Sequence, residues 1–136
     1  MHGKTTAPKI LIVEDEFLVA LQIEDVVSSR GYQVVAIVPD QATFERVDDA
    51  PQVALVDLNL RDGLTGPEIA RRLSSKFGCK IVYVTANPAD IDRPAPTAVG
   101  IVPKPFSGTT ILDAIEFALN GVPNMPPPSG VQPLAR

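Results

Sequence analysis

Residues 53–60 read Val53-Ala54-Leu55-Val56-Asp57-Leu58-Asn59-Leu60. Four consecutive apolar residues without polar alternation are the pattern of a strand buried on both faces. A carboxylate, Asp57, stands directly at its carboxyl end. Four further runs share the pattern: Ile10-Leu11-Ile12-Val13, Val34-Val35-Ala36-Ile37-Val38, Ile81-Val82-Tyr83-Val84 and Val99-Gly100-Ile101-Val102. Short, continuous, β-branched-rich runs indicate strands of a parallel sheet. Between them lie helical stretches. Phe17–Ser29 places Leu18, Leu21, Val26 and Val27 at roughly helical spacing, with Gly31 as a stop. A weaker segment spans 40–49. Thr65 followed by Glu68 reads as a capping box for a helix with Ile69, Ala70 and Leu73 as its stripe. Ser107 caps a last helix carrying Ile111, Ile115, Ala118 and Leu119, and Gly121 ends it.

Strands alternating with helices predict an α/β sandwich with right-handed crossovers. The exception lies between the fourth and fifth strands, where Pro88, Pro94 and Pro96 interrupt the chain. Proline inside a helix costs about 3 kcal/mol. The fourth crossover is therefore expected to be a loop or a short helical turn.

The chain has 136 residues, 14 prolines and a formal net charge of −4. That length suits one domain, and the 45% hydrophobic content is enough for a core. The acidic balance speaks against a nucleic-acid binder, and residues 105–135 contain no Lys or Arg. No apolar run approaches the roughly 20 residues of a membrane span, and the N-terminus lacks the apolar core of a signal peptide. The single cysteine, Cys79, has no partner for an internal disulfide and is read as packed and inert. A cytoplasmic location is expected. Residues 1–8 are read as a flexible N-terminus, 9–120 as the domain, and 121–136 as a proline-rich tail, extended or disordered, with no output domain.

Ligands of open parallel sheets bind outside the carboxyl ends of the strands. Glu14, Asp15 and Glu16 follow the first strand, Asp57 the third, Thr85 and Ala86 the fourth, and Lys104 and Pro105 follow Pro103 after the fifth. Two carboxylates about 4 Å apart repel by about 4 kcal/mol at an effective dielectric of 20. Such a cluster calls for a cation, and a hard, oxygen-liganded ion such as Mg²⁺ suits it. Lys104 is suited to holding a phosphoryl group as a point charge. The residues therefore point to phosphoryl chemistry at Asp57, with Glu14 and Asp15 holding the metal and Thr85 and Lys104 the phosphoryl oxygens. Ala86 leaves room for the group. Taken singly, each residue has a plainer role: Asp15 as a helix N-cap, Asp57 as a turn residue, Lys104 as a solvated lysine, Thr85 as a core threonine. The set in order carries the reading.

These residues identify the resemblance. Over 9–120 the chain resembles the receiver domain of two-component response regulators. The carrying motifs are Ile10-Leu11-Ile12-Val13-Glu14-Asp15-Glu16, Leu55-Val56-Asp57-Leu58-Asn59-Leu60, Val84-Thr85-Ala86 and Lys104-Pro105-Phe106. The resemblance implies a flavodoxin-like, doubly wound, five-stranded parallel sheet of order 2-1-3-4-5. It implies a phosphoryl group accepted on Asp57 from a histidine kinase or phosphotransfer protein, with Mg²⁺ as cofactor. Asp15, Asp57 and the main-chain carbonyl of Asn59 match the metal ligands, with Glu14 acting through a water. Lys104 matches the phosphate-binding lysine, and its bond to Pro105 is cis in the family. The implied protein is no enzyme in the ordinary sense. It promotes only its own phosphorylation and dephosphorylation, and it signals as a monomer through protein contacts. Ile101 occupies the position of the family's switch aromatic and cannot swing as a ring does. This departure and the broken fourth crossover make a pseudo-receiver, a binding module independent of phosphate, the alternative. An aspartate-nucleophile phosphatase would carry a second acid where Asn59 stands.

Overall fold

The continuous apolar runs form strands β1 (Lys9–Val13), β2 (Gln33–Val38), β3 (Val53–Val56), β4 (Lys80–Thr85) and β5 (Ala98–Pro103). The computed structural model describes residues 7–121 and 125–134. Of the N-terminal stretch read as flexible, residues 1–6 lie outside them. All five strands pair in parallel in the order β2-β1-β3-β4-β5. This is the doubly wound, flavodoxin-like arrangement expected from the sequence. Every side chain of β3 is buried, as are those of Ile10 to Val13 in β1. Fully burying one such aliphatic side chain contributes about 1.5–3 kcal/mol, so these central strands anchor the sheet.

The helices are α1 (Phe17–Ser29), α2 (Gln41–Phe44), α3 (Gly66–Phe77) and α4 (Gly108–Glu116), the last continued by a wider turn over Phe117–Gly121. One face of the sheet packs Leu11, Val13, Ala54, Val56, Ile81 and Tyr83 against residues of α2 and α3. The other packs Ile10, Ile12, Val53, Leu55, Val82 and Val84 against α1 and α4. The alternation of neighbours along one strand between two cores is the physical reason its sequence shows no polar alternation.

Several local expectations are corrected. In α1 the buried face is Ala20, Ile23 and Val27; of the expected stripe Val27 is buried and Val26 packs against the core, whereas Leu18 is 79% exposed and Leu21 also faces solvent. Equally helical spacings on two faces made the first half of the stripe misreadable. The α1 N-cap position is Glu16, with no side-chain cap, so Asp15 is not engaged in capping. The Thr65–Glu68 capping box does not form. Gly66 N–H donates to Leu58 O at 3.0 Å, Pro67 has no N–H, and the Thr65 hydroxyl donates to Asp62 instead. Glu68 pairs with Arg71. Ser107 does cap α4, accepting from Thr110 N–H.

The fourth crossover is not an α-helix. It is a short 3₁₀ turn, Pro88–Asp90, followed by irregular chain, as the prolines require. It is nevertheless anchored. Ala95 N–H donates to the buried Tyr83 hydroxyl at 2.9 Å, and Thr97 bonds the Ser74 hydroxyl of α3 and the carbonyl of Cys79. Cys79 is buried, and burial pushes its thiol pKa up to about 12, so it stays protonated and inert. Of the proline-rich tail, residues 122–124 and 135–136 lie outside the described residues; within 125–134 the chain turns at 129–130 and docks, Ile101 and Gln132 exchanging backbone hydrogen bonds of 2.9 and 2.7 Å along β5.

Two interactions place the loop that follows β3. Asp40 caps α2 through Thr43 N–H and pairs with Arg61 at 2.6 Å. Gly66 lies so close beneath Asp57 that a Cβ added there would meet Asp57 O at 1.9 Å. Gly66→Ala is therefore expected to destabilise the fold by at least the usual 1–3 kcal/mol of overpacking, roughly, because backbone rather than a flexible side chain must move. Urea denaturation checks this; an unchanged midpoint would contradict it. The Thr43 and Arg61 bonds hold the Asp40 carboxyl at about 2, below its ordinary 3.8. A depressed acid stabilises above its unfolded value and loses that contribution as pH falls through the folded one. The Tm advantage of wild type over Asp40→Asn is thus expected at neutral pH and to vanish as pH falls from 3.8 through about 2; a difference independent of pH would contradict it.

Candidate functional site

The carboxyl ends of β1, β3 and β5 converge on one acidic cluster. Backbone bonds that continue the ladders past the strand ends fix the residues. Glu14 N–H donates to Val38 O at 3.0 Å, Asp57 N–H to Val13 O at 2.9 Å, and Lys104 N–H to Thr85 O at 2.9 Å. Each site residue thus inherits the rigidity of the sheet rather than of a loop.

The side chains meet closely. Oxygens of Glu14, Asp15 and Asp57 all lie within 4.8 Å of one another. Lys104 Nζ donates to Glu14 Oε1 at 2.8 Å and to Asp57 Oδ2 at 2.9 Å, with Glu16 farther off at 3.8 Å. The other Asp57 oxygen, Oδ1, accepts from Leu58 N–H at 2.8 Å, and Glu14 Oε2 accepts from Glu16 N–H at 3.1 Å. Glu14 is only 2% exposed, and burial raises its pKa despite the opposing Lys104 hydrogen bond. Burial pulls the Lys104 pKa down, but its hydrogen bonds to Glu14 and Asp57 outweigh this and hold it above its ordinary value. The lysine therefore stays charged between the acids.

Three mutually close carboxylates form a hard-oxygen donor set, the chemistry that Mg²⁺ accepts. One ammonium leaves their charge incompletely offset, so the residues fit a divalent ion.

Thr85 is fully buried at the end of β4, and its Oγ1 accepts from Asn87 N–H at 3.0 Å, which leaves the hydroxyl hydrogen for another acceptor. Ala86 is exposed and lines a hollow of about 390 Å³ together with Glu16, Val19, Gln22, Lys104 and Phe106. Asn59 is exposed in the loop after β3, two residues beyond Asp57. The Lys104–Pro105 bond is cis. Ile101 is buried and pairs in register with Tyr83 of β4. Both belong to the same core face. An aromatic ring thus stands beside the expected switch position, one strand over. Sequence reading missed it because register is not written in either strand alone. It also missed the exposed patch of Phe17, Leu18 and Leu21 on α1, which follows Glu16 directly.

The profile of the response regulator receiver domain matches residues 10–116. The Phyllosphere-induced regulator PhyR of Methylorubrum extorquens is 29% identical over 119 residues, covering 83% of this chain and 44% of that protein. The chain therefore spans less than half the length of this curated relative. The solution structure of the PhyR receiver domain from Erythrobacter litoralis is 30% identical, with a TM-score of 0.75, over 88% of this chain and 95% of that one. A CheY-like receiver domain from Methanospirillum hungatei, 22% identical over 85% of this chain and 96% of that one, has a TM-score of 0.72 and supports the fold alone. With its 2-1-3-4-5 sheet and the receiver profile spanning most of its length, the chain belongs to the response regulator receiver domain family.

Proposed function

We propose that this protein accepts a phosphoryl group on Asp57 from a histidine kinase or histidine phosphotransfer protein and signals through protein contacts, as a cytoplasmic monomer. The observation that carries the reading is the Lys104 ammonium bridging Glu14 and Asp57 at 2.8 and 2.9 Å within the acidic cluster. In the transfer, Asp57 Oδ2 attacks the phosphorus of a phosphohistidine. The O–P bond forms, the N–P bond breaks, and the imidazole leaves with the electron pair and takes a proton from solvent. Leu58 N–H keeps Oδ1 fixed while Oδ2 reacts. Lys104, already on Oδ2, moves onto a phosphoryl oxygen, the Thr85 hydroxyl donates to another, and Ala86 leaves the group room. Most of the catalytic effect is positioning and charge stabilisation.

Asp15, Asp57 and the Asn59 carbonyl would hold Mg²⁺ directly, and Glu14 through a water. When bound, Mg²⁺ supplies the positive charge that lets carboxylates and phosphoryl oxygens share the site. The exposed Phe17, Leu18 and Leu21 beside Glu16 offer an apolar landing surface for the donor protein. A second reading, the phosphate-independent pseudo-receiver, draws on Ile101 and the missing crossover helix. It expects Asp57→Ala to leave partner affinity unchanged.

Beryllofluoride with Mg²⁺ is expected to shift the NMR resonances of Thr85, Ala86 and Lys104, and Asp57→Asn to abolish the shifts. Unshifted spectra in wild type would overturn phosphoryl acceptance. Mg²⁺ at a hundredfold excess over its Kd is expected to stabilise the fold by about 2.7 kcal/mol through mass action. Asp15→Asn should remove most of this gain, and an equal gain in the variant would contradict the ligand assignment.

A further inference from the structure

Two hydroxyls of β4 hold the fourth crossover. Thr85 Oγ1 accepts from Asn87 N–H at 3.0 Å, and Tyr83 Oη accepts from Ala95 N–H at 2.9 Å. Residues two apart on a strand share one face and stand about 7 Å from each other. Residues 88–94 therefore form a loop with both feet on the same face of one strand. Among the described residues its backbone hydrogen bonds stay within the turn, Asp90 N–H to Asn87 O and Ile91 N–H to Pro88 O. Ile91 packs against the core, whereas Ala89, Asp90, Asp92 and Arg93 are exposed. Beside the loop lies a hollow of about 570 Å³, lined by Leu58, Pro67, Tyr83 and the loop's own Ile91 and Pro94. The loop has room to shift.

The two feet differ in what lies behind them. Behind Thr85 is the acidic cluster. Its hydroxyl is the one assigned to a phosphoryl oxygen, so a turn of this side chain acts on Asn87 through their shared bond. Behind Ala95 the chain is fixed. Ala95 is fully buried, its carbonyl accepts from Ala98 N–H at 3.0 Å, and Thr97 bonds the Ser74 hydroxyl. The Tyr83 foot thus marks where the loop ends and the rigid entry to β5 begins. Tyr83 itself cannot drift: it is 1% exposed and pairs in register with Val56 on one side and Ile101 on the other. Val56 directly precedes Asp57. A buried hydroxyl costs free energy unless it is bonded, and here one bond goes to the loop.

We propose that Tyr83 is a positioning residue that couples the acidic site to the fourth crossover through its bond to Ala95. With the loop clamped at both feet, turning Thr85 toward a phosphoryl group moves residues 88–94 against a fixed second point. The exposed Asp90, Asp92 and Arg93 move with it, and the surface offered to a partner protein changes. Without the Tyr83 bond the same turn is absorbed by a loose loop, and the two ends no longer share one equilibrium. This inference rests on the reading of Asp57 as phosphoryl acceptor. It assigns the output of that site to the segment where the crossover helix is missing.

NMR on the full chain tests it, with Mg²⁺ and beryllofluoride as the probe and Tyr83→Phe as the variant, which keeps the buried ring. Without the probe, the Ala95 amide of Tyr83→Phe should exchange with solvent at least about tenfold faster than in wild type, while Leu11 and Leu55 in the central strands stay protected. Equal Ala95 exchange would overturn the proposal. With the probe, wild type should shift at Thr85, Ala86 and Lys104 and also at Asp90, Arg93 and Ala95. Tyr83→Phe should keep the first group of shifts and lose the second, a separation that a merely structural hydroxyl would not produce. The second group at full size in the variant, or missing from wild type while Thr85 shifts, would overturn the coupling and leave phosphoryl acceptance standing. Absence of the first group in wild type would overturn phosphoryl acceptance itself, and the coupling with it.

Discussion

The Lys104 ammonium between Glu14 and Asp57 is the interaction on which the site depends. Parallel pairing forces the ends of β1 and β3 to lie side by side, so Glu14 and Asp57 are brought together by topology, not by attraction. Their like charges oppose the fold at that point. The lysine at the end of β5 reaches across to offset part of this, bonding both at hydrogen-bond distance. Removing one partner of such a buried set typically costs about 3–5 kcal/mol. The sheet holds the charges in place, and the incomplete neutralisation is the electrostatic ground for the proposed divalent ion and phosphoryl group.

The same strand ends explain why the backbone takes part. The amides of Glu14, Asp57 and Lys104 extend the ladders by one step, so the acids and the lysine cannot drift apart without loss of sheet pairing. Gly66, folded beneath Asp57, closes the loop after β3 from below and leaves no space for a larger residue. The acids and the lysine therefore stand on a backbone frame set by β1, β3 and β5.

Much of the fold was legible in the sequence because buried parallel strands carry an unmistakable continuous apolar pattern. The α1 boundaries, the Ser107 cap and the proline-broken crossover followed from local chemistry. The acids and lysine were legible because each sits at a strand end, where topology gathers them. What stayed hidden depended on register or on distant chain. Leu18 and Leu21 competed with Ala20 and Ile23 for the same helical spacing, and only packing decides between them. The Thr65 cap was lost to Asp62 and to the close approach of Gly66 to Leu58. Tyr83 became visible as the neighbour of Ile101 only once β4 and β5 were aligned. The docking of Val131 and Gln132 on β5 had no local signal, since a proline-rich stretch reads as solvated chain until the close approach of Val131 to Gly100 is seen.

The central claim is that Asp57, among sixteen acidic residues, is the phosphoryl acceptor. Borohydride reduction after incubation with a small-molecule phosphodonor and Mg²⁺, followed by peptide mass mapping, reads this directly, because reduction of an acyl phosphate converts the aspartate to homoserine. The account expects homoserine at position 57 alone, dependent on Mg²⁺ and lost in Asp57→Asn. Homoserine at another acid, or none anywhere under conditions that label a known receiver, would contradict it.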